Sequence, residues 1–287
     1  MNETLGFIYV LLAGVGFGFL GIFGRLAFQR GLSVGEILTW RFLFASIFLW
    51  IFLGLFQRKT IILSPRQIFI SIALGVFGYS SFSTLYFMAI QGISVSLAAL
   101  LLFTFPVFVN LGGHFILNEK MNRRQGLSLI LASVGIVILL WGPLFIKSLS
   151  SVVFALMAAV AYSVYVLASG RYQRGVKPIS SSLYVITSAG LALFAFHRPS
   201  VDRLMHFSMT EYMIILGLAT VCTVAPLTLF LAGLQRLSSG KASLVVMIEP
   251  VVAALAAWAL LGEKLTLGQS TGAVLVLFAL VLNTRQL

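Results

Sequence analysis

Long apolar runs separated by short polar segments extend along the whole chain. Each run covers about 17 to 25 residues, the length that a helix needs to cross a bilayer, and charged or turn residues bound it on both sides. The pattern predicts ten transmembrane helices joined by short connections. They cover residues 5–27, 34–56, 67–90, 94–117, 124–141, 150–170, 180–196, 211–235, 241–261 and 266–283.

Composition agrees with a membrane protein. Hydrophobic residues make up 60% of the 287 positions and charged residues only 9%, whereas soluble domains carry about 25% charged residues. The first apolar stretch, residues 5–28, follows no basic segment and is too long for a signal peptide, so we expect it to be retained. The single Cys222 and three scattered histidines offer no metal-ligand spacing, and no cofactor is expected. The predicted class is an all-α, polytopic integral membrane protein.

The net charge of +12 comes from Lys and Arg residues that lie between the apolar runs. Such placement indicates membrane topology and argues against a nucleic-acid partner. With the N-terminus cytoplasmic, twelve of the 19 basic residues, Arg285 among them, fall on the inner side and seven on the outer side. We therefore predict a multi-pass protein of the plasma or bacterial inner membrane with both termini cytoplasmic.

The two halves of the chain share residues at a constant spacing of 144. The shift carries the triplet 29–31 (QRG) onto 173–175 (QRG). It carries further pairs and single residues onto identical ones: Pro106-Val107 onto Pro250-Val251, Glu119-Lys120 onto Glu263-Lys264, Gln91 onto Gln235, Ser94 onto Ser238, Leu117 onto Leu261 and Gln125 onto Gln269. This predicts two duplicated units, residues 1–145 and 146–287. Because each unit holds an odd number of helices, five, the second enters from the opposite face as a 5+5 inverted repeat.

Three motifs carry a resemblance to a known family: Arg41 in TWRFLFA, Pro106 followed by LNEKM, and IEPVVAALAAWALLGEKL around Glu249. Together with two sets of five spans, they resemble the EamA-type branch of the drug/metabolite transporter superfamily over nearly the whole chain. The resemblance implies alternating access and a central cavity lined largely by the first, third, fourth, sixth, eighth and ninth helices. It does not identify the substrate, because the family moves amino acids, sugars, drugs and other metabolites.

Prolines interrupt three of the apolar runs. Proline has no N–H, so Pro106 and Pro250 deprive the carbonyls four residues before them of a helical partner. We predict two kinks at matched depth, where a substrate would lie near the membrane midplane, or kinks with a purely structural role. Pro226 predicts a third irregular point in the eighth helix.

Glu249 lies near the centre of the ninth apolar run, where an ionisable group costs about 2.5–3.5 kcal/mol on insertion scales. We predict that it binds a cationic group of the substrate or carries a proton, because burial favours the protonated form of a carboxyl group. The alternative is a carboxylate locked to an Arg or Tyr. Candidate partners are Arg25 and Arg41; Arg41 would form a gating ion pair or extend to the lipid headgroups.

Polar and aromatic residues at helical spacing predict the remainder of the binding site. Aromatic rings with hydroxyl groups suit amphipathic or cationic molecules. The predicted substrate-binding residues, besides Glu249, are Tyr79, Tyr86, Asn110, His114, Tyr162, Tyr165 and Trp258. Packing hydrogen bonds are the alternative role for Asn110 and His114, and interfacial belts the alternative for the aromatic residues.

The predicted function is secondary transport of small metabolites, such as amino acids or related amphipathic or cationic compounds. The family resemblance favours export as the direction. An uncoupled facilitator or antiporter is the alternative. No phosphate-binding loop motif is present, so direct use of ATP is not expected. A membrane-embedded enzyme is disfavoured because only one of seven acids lies mid-membrane, and a non-transporting scaffold would not need matched kinks. Expected partners are the lipid bilayer and a small-molecule substrate, with the protein a monomer or homodimer.

Overall fold

The computed structural model describes residues 2–142, 146–262 and 264–284, and this part of the chain is helical throughout. The predictions that fall on Glu263 and Arg285 lie outside the described residues. The main helices are α1 (Glu3–Gln29), α2 (Val34–Phe56), α3 (Pro65–Ile90), α4 (Val95–Leu117), α5 (Arg123–Leu139), α6 (Leu149–Tyr172), α7 (Pro178–His197), α8 (Met209–Leu234), α9 (Ser239–Leu261) and α10 (Leu267–Thr284). Eight of them, all except α5 and α10, are long and apolar enough to cross a membrane.

The ends of these helices are set by local capping residues. Ser64 and Ser208 form capping boxes with the third helical residue at the starts of α3 and α8. Ser94 and Ser238 accept a hydrogen bond from the backbone at the starts of α4 and α9. Such caps satisfy N–H groups that have no partner inside the helix. Both pairs are 144 residues apart.

Left-handed residues end two helices in the same recurring way. Asn118 (φ 54°) follows α4 and Gly262 (φ 69°) follows α9, and both residues satisfy the last turn of the helix through their backbone N–H. Gly31 and Gly175, in the connections after α1 and α6, also have positive φ. The spacing of 144 residues thus relates backbone conformations as well as residue types.

Five helices are interrupted near their centres. α1 breaks at Phe19, and α4 breaks at residues 103–104. Residues Val246–Ile248 of α9 form a 3₁₀ turn, whereas Leu74–Tyr79 of α3 and Thr220–Val224 of α8 are π-helical. The other five main helices are continuous over the described residues.

Helices of each half of the chain pack against helices of the other half. α1 packs on α8 and α9, and α6 packs correspondingly on α3 and α4, whereas α2 pairs with α7 and α5 with α10. The α2–α7 pair is antiparallel, since Ser46 bonds Thr187 and Trp40 contacts Phe194. In the α5–α10 pair, Gly135 meets Val276 and Gly272 meets Leu139, so these helices also run in opposite directions.

We predict that Gly272→Ala destabilises the α5–α10 contact. A Cβ at Gly272 would lie 2.5 Å from the Leu139 nitrogen and 2.6 Å from the Gly135 carbonyl oxygen, which are backbone atoms that cannot rotate away. Overpacking of this kind costs roughly 1–3 kcal/mol, so thermal unfolding of the purified protein in detergent should occur at a lower temperature.

Gly268→Ala is the matched control on α10, because its nearest neighbour would be Thr266 Oγ1 at 3.8 Å. This variant should unfold at or slightly above the wild-type temperature, since Ala favours a helix over Gly. Equal unfolding temperatures for Gly272→Ala and Gly268→Ala would contradict the close contact.

Candidate functional site

A cavity of about 610 Å³ occupies one half of the helix bundle. Most of its wall comes from the halves of α1, α3 and α9 that follow their interruptions and from the halves of α4 and α8 that precede theirs, and α2, α5, α6 and α10 contribute single residues or pairs. It extends to the end of the bundle where residues 29–34 join α1 to α2 and residues 90–95 join α3 to α4; we call this the cavity end. The volume lies within the ~300–1,000 Å³ typical of small-molecule sites.

Aromatic rings form the deepest part of the cavity. Tyr162 of α6 lies 4.6 Å from Phe105 and 4.7 Å from Phe82, measured between ring centroids, and Phe82 lies 4.8 Å from Tyr79. All four line the cavity. The Phe105–Tyr162 and Tyr79–Phe82 contacts are edge-to-face and the Phe82–Tyr162 contact is tilted, and such ring contacts favour fixed orientations, so the cavity has a rigid, largely apolar floor.

Three charged side chains line the cavity among the described residues: Arg25, Arg41 and Glu249. Glu249 is the first residue of the α9 segment that follows the 3₁₀ turn, at mid-depth of the helix. Tyr79, Tyr86 and Tyr162 line the same cavity. The acid therefore shares the cavity with the aromatic floor.

The predicted ion pair between Arg41 and Glu249 is not formed. No ion pair within the described part of the chain includes either side chain. Arg41 is only 4% exposed, so it does not extend to the lipid headgroups either. The two opposite charges face one cavity without neutralising each other directly.

Between the aromatic floor and the cavity end, the walls carry a few polar groups on an apolar surface. Tyr86 and Ser83 of α3 and Ser96 of α4 line the cavity, as does Cys222 of α8. Gly21 and Gly24 of α1 also line it, and an added Cβ at either position would meet nothing within 4 Å. By contrast, Gly14 and Gly18 pack tightly against α9. Glycines of α1 therefore contact α9 before the break in α1 and line open space after it.

Four predicted substrate-binding residues lie away from the cavity. Tyr165 is 1% exposed and packs behind Tyr79, with ring centroids 5.4 Å apart. Trp258 is 56% exposed on the outside of the bundle, and His114 is exposed beside Phe115. None of these three residues lines the cavity, because their helix faces point elsewhere.

Asn110, the fourth, is buried in a hydrogen-bond network of its own. Its Nδ2 donates to the Pro106 carbonyl at 2.8 Å, and its Oδ1 accepts from Gln125 Nε2 at 2.9 Å. A Cβ added at Gly240 of α9 would lie 2.5 Å from Asn110 Oδ1. Asn110 therefore packs α4 against α5 and α9 instead of lining the cavity.

The three predicted kink prolines each follow an irregular segment. Pro106, Pro250 and Pro226 each occupy the second position of the helical segment that follows the irregular one. Proline is tolerated in a first turn because the missing N–H would have no partner there. Pro250 lines the cavity, whereas Pro226 packs against Gly16 of α1.

The opposite end of the bundle is closed by polar contacts between helix ends; we call it the closed end. Glu119, after α4, accepts hydrogen bonds from the backbone of Ser239 at 3.0 Å and Gly240 at 3.3 Å, the first residues of α9. Lys241 of α9 forms an ion pair of 2.6 Å with Glu3 of α1. A carboxylate at a helix N-terminus is stabilised by the helix dipole, so Glu119 holds α9 against α4.

Further contacts tie α7 and α6 into the closed end. Gln173 Nε2 donates to Ser71 Oγ at 3.1 Å, and Ser180 Oγ donates to the Thr60 carbonyl at 2.6 Å. Gln235 donates to the Val176 carbonyl. The bonds of Gln173 and Ser180 join the two halves of the chain at the end where the cavity is absent, and the bond of Gln235 links α8 to the segment that follows α6.

Three residues that line the cavity were not among the predicted site residues: Phe105, Cys222 and Gln269. The sequence did point to Phe105, because the spacing of 144 makes it the equivalent of Glu249 in the first unit. Cys222 lies on α8 within its π-helical segment, four residues before Pro226. Its direction depends on that local distortion, which hydrophobicity does not reveal.

Comparison with known proteins identifies the family. The model of the EamA-like transporter family matches residues 4–141 and again residues 149–285. An uncharacterized transporter, YcbK, of Bacillus subtilis is 27% identical over 97% of this chain and 92% of its own length. A probable amino-acid metabolite efflux pump of Salmonella typhimurium is 28% identical over 71% of this chain and 72% of its own length.

The fold has been observed in a crystal structure. One solved protein chain superposes with a TM-score of 0.81, covering 98% of this chain and 96% of that chain at 17% identity. The double family match covers nearly all of the described helices, and the two relatives above are named as a transporter and an efflux pump. The chain is a multi-pass membrane protein that belongs to the EamA-like transporter family.

Proposed function

We propose that the protein is a secondary transporter that moves small amphipathic metabolites across the membrane by alternating access. The observation that carries the proposal is the contrast between the two ends of the bundle. One half contains a cavity of about 610 Å³ with an acid at mid-depth, and the other is closed by hydrogen bonds and an ion pair. A path from the cavity through the closed end requires these contacts to be replaced by others.

The proposed architecture is ten spans in two inverted five-helix units, residues 1–145 and 146–287. Its support is the recurrence of caps, left-handed residues and irregular segments at a spacing of 144. The antiparallel α5–α10 and α2–α7 pairs agree with units that enter from opposite faces. Two separate family matches of similar length fall on the two units.

With both termini cytoplasmic, the cavity end faces the outside of the cell. The basic residues that support this orientation, such as Arg58, Lys59, Arg66 and Arg171, lie at the closed end. The structure then corresponds to an outward-open state. The membrane is the plasma membrane or the inner membrane of a bacterium.

Transport requires the closed end to open and the cavity end to narrow. α9 is tied at the closed end by Glu119 and by the Lys241–Glu3 pair, so these bonds must break for the inward-open state. The interruptions beside Pro106 and Pro250 allow each half-helix to tilt without breaking further backbone hydrogen bonds. A substrate that binds one state more tightly shifts the population toward it.

Glu249 is the proposed coupling residue. It faces the cavity without an ion-pair partner among the described residues, so it is available to bind a cationic group or a proton. Exchange of either with the two sides of the membrane links transport to a gradient. The alternative is an uncoupled facilitator or antiporter in which Glu249 only binds, and counterflow without a pH gradient separates the two.

The proposed substrates are amino acids or related amphipathic compounds, and the proposed direction is export. The aromatic floor and the few polar wall groups suit a molecule with an apolar body. The Salmonella relative carries the name of an amino-acid metabolite efflux pump. The working unit is a monomer or homodimer in the lipid bilayer.

We predict that Glu249→Gln lowers transport by about tenfold or more, because a hydrogen bond to a charged group contributes roughly 1.5–3 kcal/mol. The measurement is uptake into proteoliposomes of a substrate first identified by thermal-shift screening at two pH values. Asp202→Asn is the control: it removes one negative charge at the exposed surface of the cavity end. Wild-type rate and wild-type pH dependence in Glu249→Gln would exclude Glu249 from the mechanism.

We predict that Glu119→Ala shifts the protein toward the inward-open state. Loss of the capping carboxylate removes about 1–2 kcal/mol, which changes the ratio of the two states ~5–30-fold. Gly21→Cys in a Cys222→Ala background provides a single reporter on the cavity wall. An impermeant thiol reagent added outside intact cells should label it more slowly in Glu119→Ala.

Lys120→Ala is the matched control, since Lys120 is the exposed neighbour of Glu119. Its labelling rate should equal that of the unmodified reporter. Equal rates in Glu119→Ala and Lys120→Ala would show that the cap does not hold the closed end.

A further inference from the structure

Arg41 is a buried cation with an unused hydrogen-bonding group. It lies seven residues into α2, about 10 Å from the start of the helix at 1.5 Å per residue, and its side chain lines the cavity. The residue is only 4% exposed, and its Nε has no hydrogen-bond partner within the described part of the chain. An isolated buried charge costs several kcal/mol unless a partner compensates it.

No acid among the described residues forms an ion pair with Arg41, although Glu249 lines the same cavity. The ionisable groups that interact with the guanidinium are Tyr79 of α3 and Cys222 of α8. Glu36, the acid nearest along α2, is engaged with Arg203 at 3.0 Å and with Ser33. The ring of Phe42 lies 4.7 Å from the Arg41 Cζ and offers a cation–π contact, which does not fill the donor positions of the guanidinium.

We propose that Arg41 is the docking point for an oxyanionic group, such as a carboxylate, on the molecule that occupies the cavity. This inference rests on the proposed transport function and assigns its substrate class: an amphipathic acid or ampholyte instead of a purely cationic compound. A guanidinium presents a planar set of donors that matches a carboxylate with two parallel hydrogen bonds. A bound oxyanion would use the free Nε and neutralise the buried charge.

Glu249 and Arg41 address different parts of the same cargo. Both interact with Tyr79 and Cys222, yet no ion pair joins them, so the space between them remains available. An anionic group on Arg41 leaves Glu249 free to receive an amino group or a proton. The apolar body of the molecule then lies on the rings of Phe82, Phe105 and Tyr162.

The test compares two probes with the same apolar body: 3-phenylpropionate and the neutral 3-phenylpropan-1-ol. Each is assayed for protection of the Gly21→Cys reporter, in the Cys222→Ala background, from a neutral methanethiosulfonate reagent. In the protein with native Arg41, the carboxylate should protect at roughly tenfold lower concentration than the alcohol, which corresponds to one charge-assisted interaction. Arg41→Gln should abolish this preference, and Arg41→Lys should retain part of it.

Two further measurements keep the result interpretable. Unchanged protection by the alcohol shows that Arg41→Gln leaves the cavity intact, and Arg30→Gln, an exposed charge change at the cavity end, should preserve the preference for the carboxylate. The reporter should also react faster with an anionic than with a cationic methanethiosulfonate, by a factor that falls about tenfold in Arg41→Gln, because a charged cleft concentrates oppositely charged reagents.

The outcomes separate the two proposals. No preference for the carboxylate, or a preference that survives Arg41→Gln, overturns the assignment of Arg41; so does the absence of protection by both probes while the reporter still reacts. A reporter that the neutral reagent cannot reach would instead contradict the open cavity, and with it the proposed function.

Discussion

The absence of water from the bilayer core governs the arrangement of this protein. Backbone N–H and C=O groups there must find partners within the protein, so irregular backbone is tolerated only where it is buried in protein or lines a cavity. The interruptions found in the described residues follow this rule: they occur in α1, α3, α4, α8 and α9, the helices that supply most of the cavity wall. Distorted backbone, mid-depth prolines and the candidate site therefore occur together.

The same scarcity of water explains the distribution of polar side chains. At the closed end, the Glu119 carboxylate accepts two hydrogen bonds from the start of α9, and Gln173 and Ser180 donate to groups of the other half. In the cavity, Arg41 and Glu249 form no such bonds with described residues. The hydrogen-bonded groups hold the closed end together, whereas Arg41 and Glu249 remain available to a molecule in the cavity.

Apolar run length and turn residues were sufficient to predict the main helices, and a mid-span acid was sufficient to single out Glu249. The direction in which a side chain points was harder to predict. Lipid and protein interior are equally apolar, so hydrophobicity does not distinguish the outward face of Trp258 from the cavity face of Tyr86. Asn110 had the spacing of a cavity residue, yet its partner Gln125 comes from the next helix. Such pairing depends on tertiary contacts.

The break in α1 has no counterpart in α6. Phe19 interrupts α1, but the position 144 residues later, Ser163, lies in a continuous helix, where its hydroxyl bonds the carbonyls of Ala159 and Phe105. In the proposed transport cycle the two units exchange conformations. The equivalent helices α1 and α6 then show the bent and the straight form of one element. In the opposite state of the proposed cycle, α6 would then be bent near Ser163 and α1 would be straight.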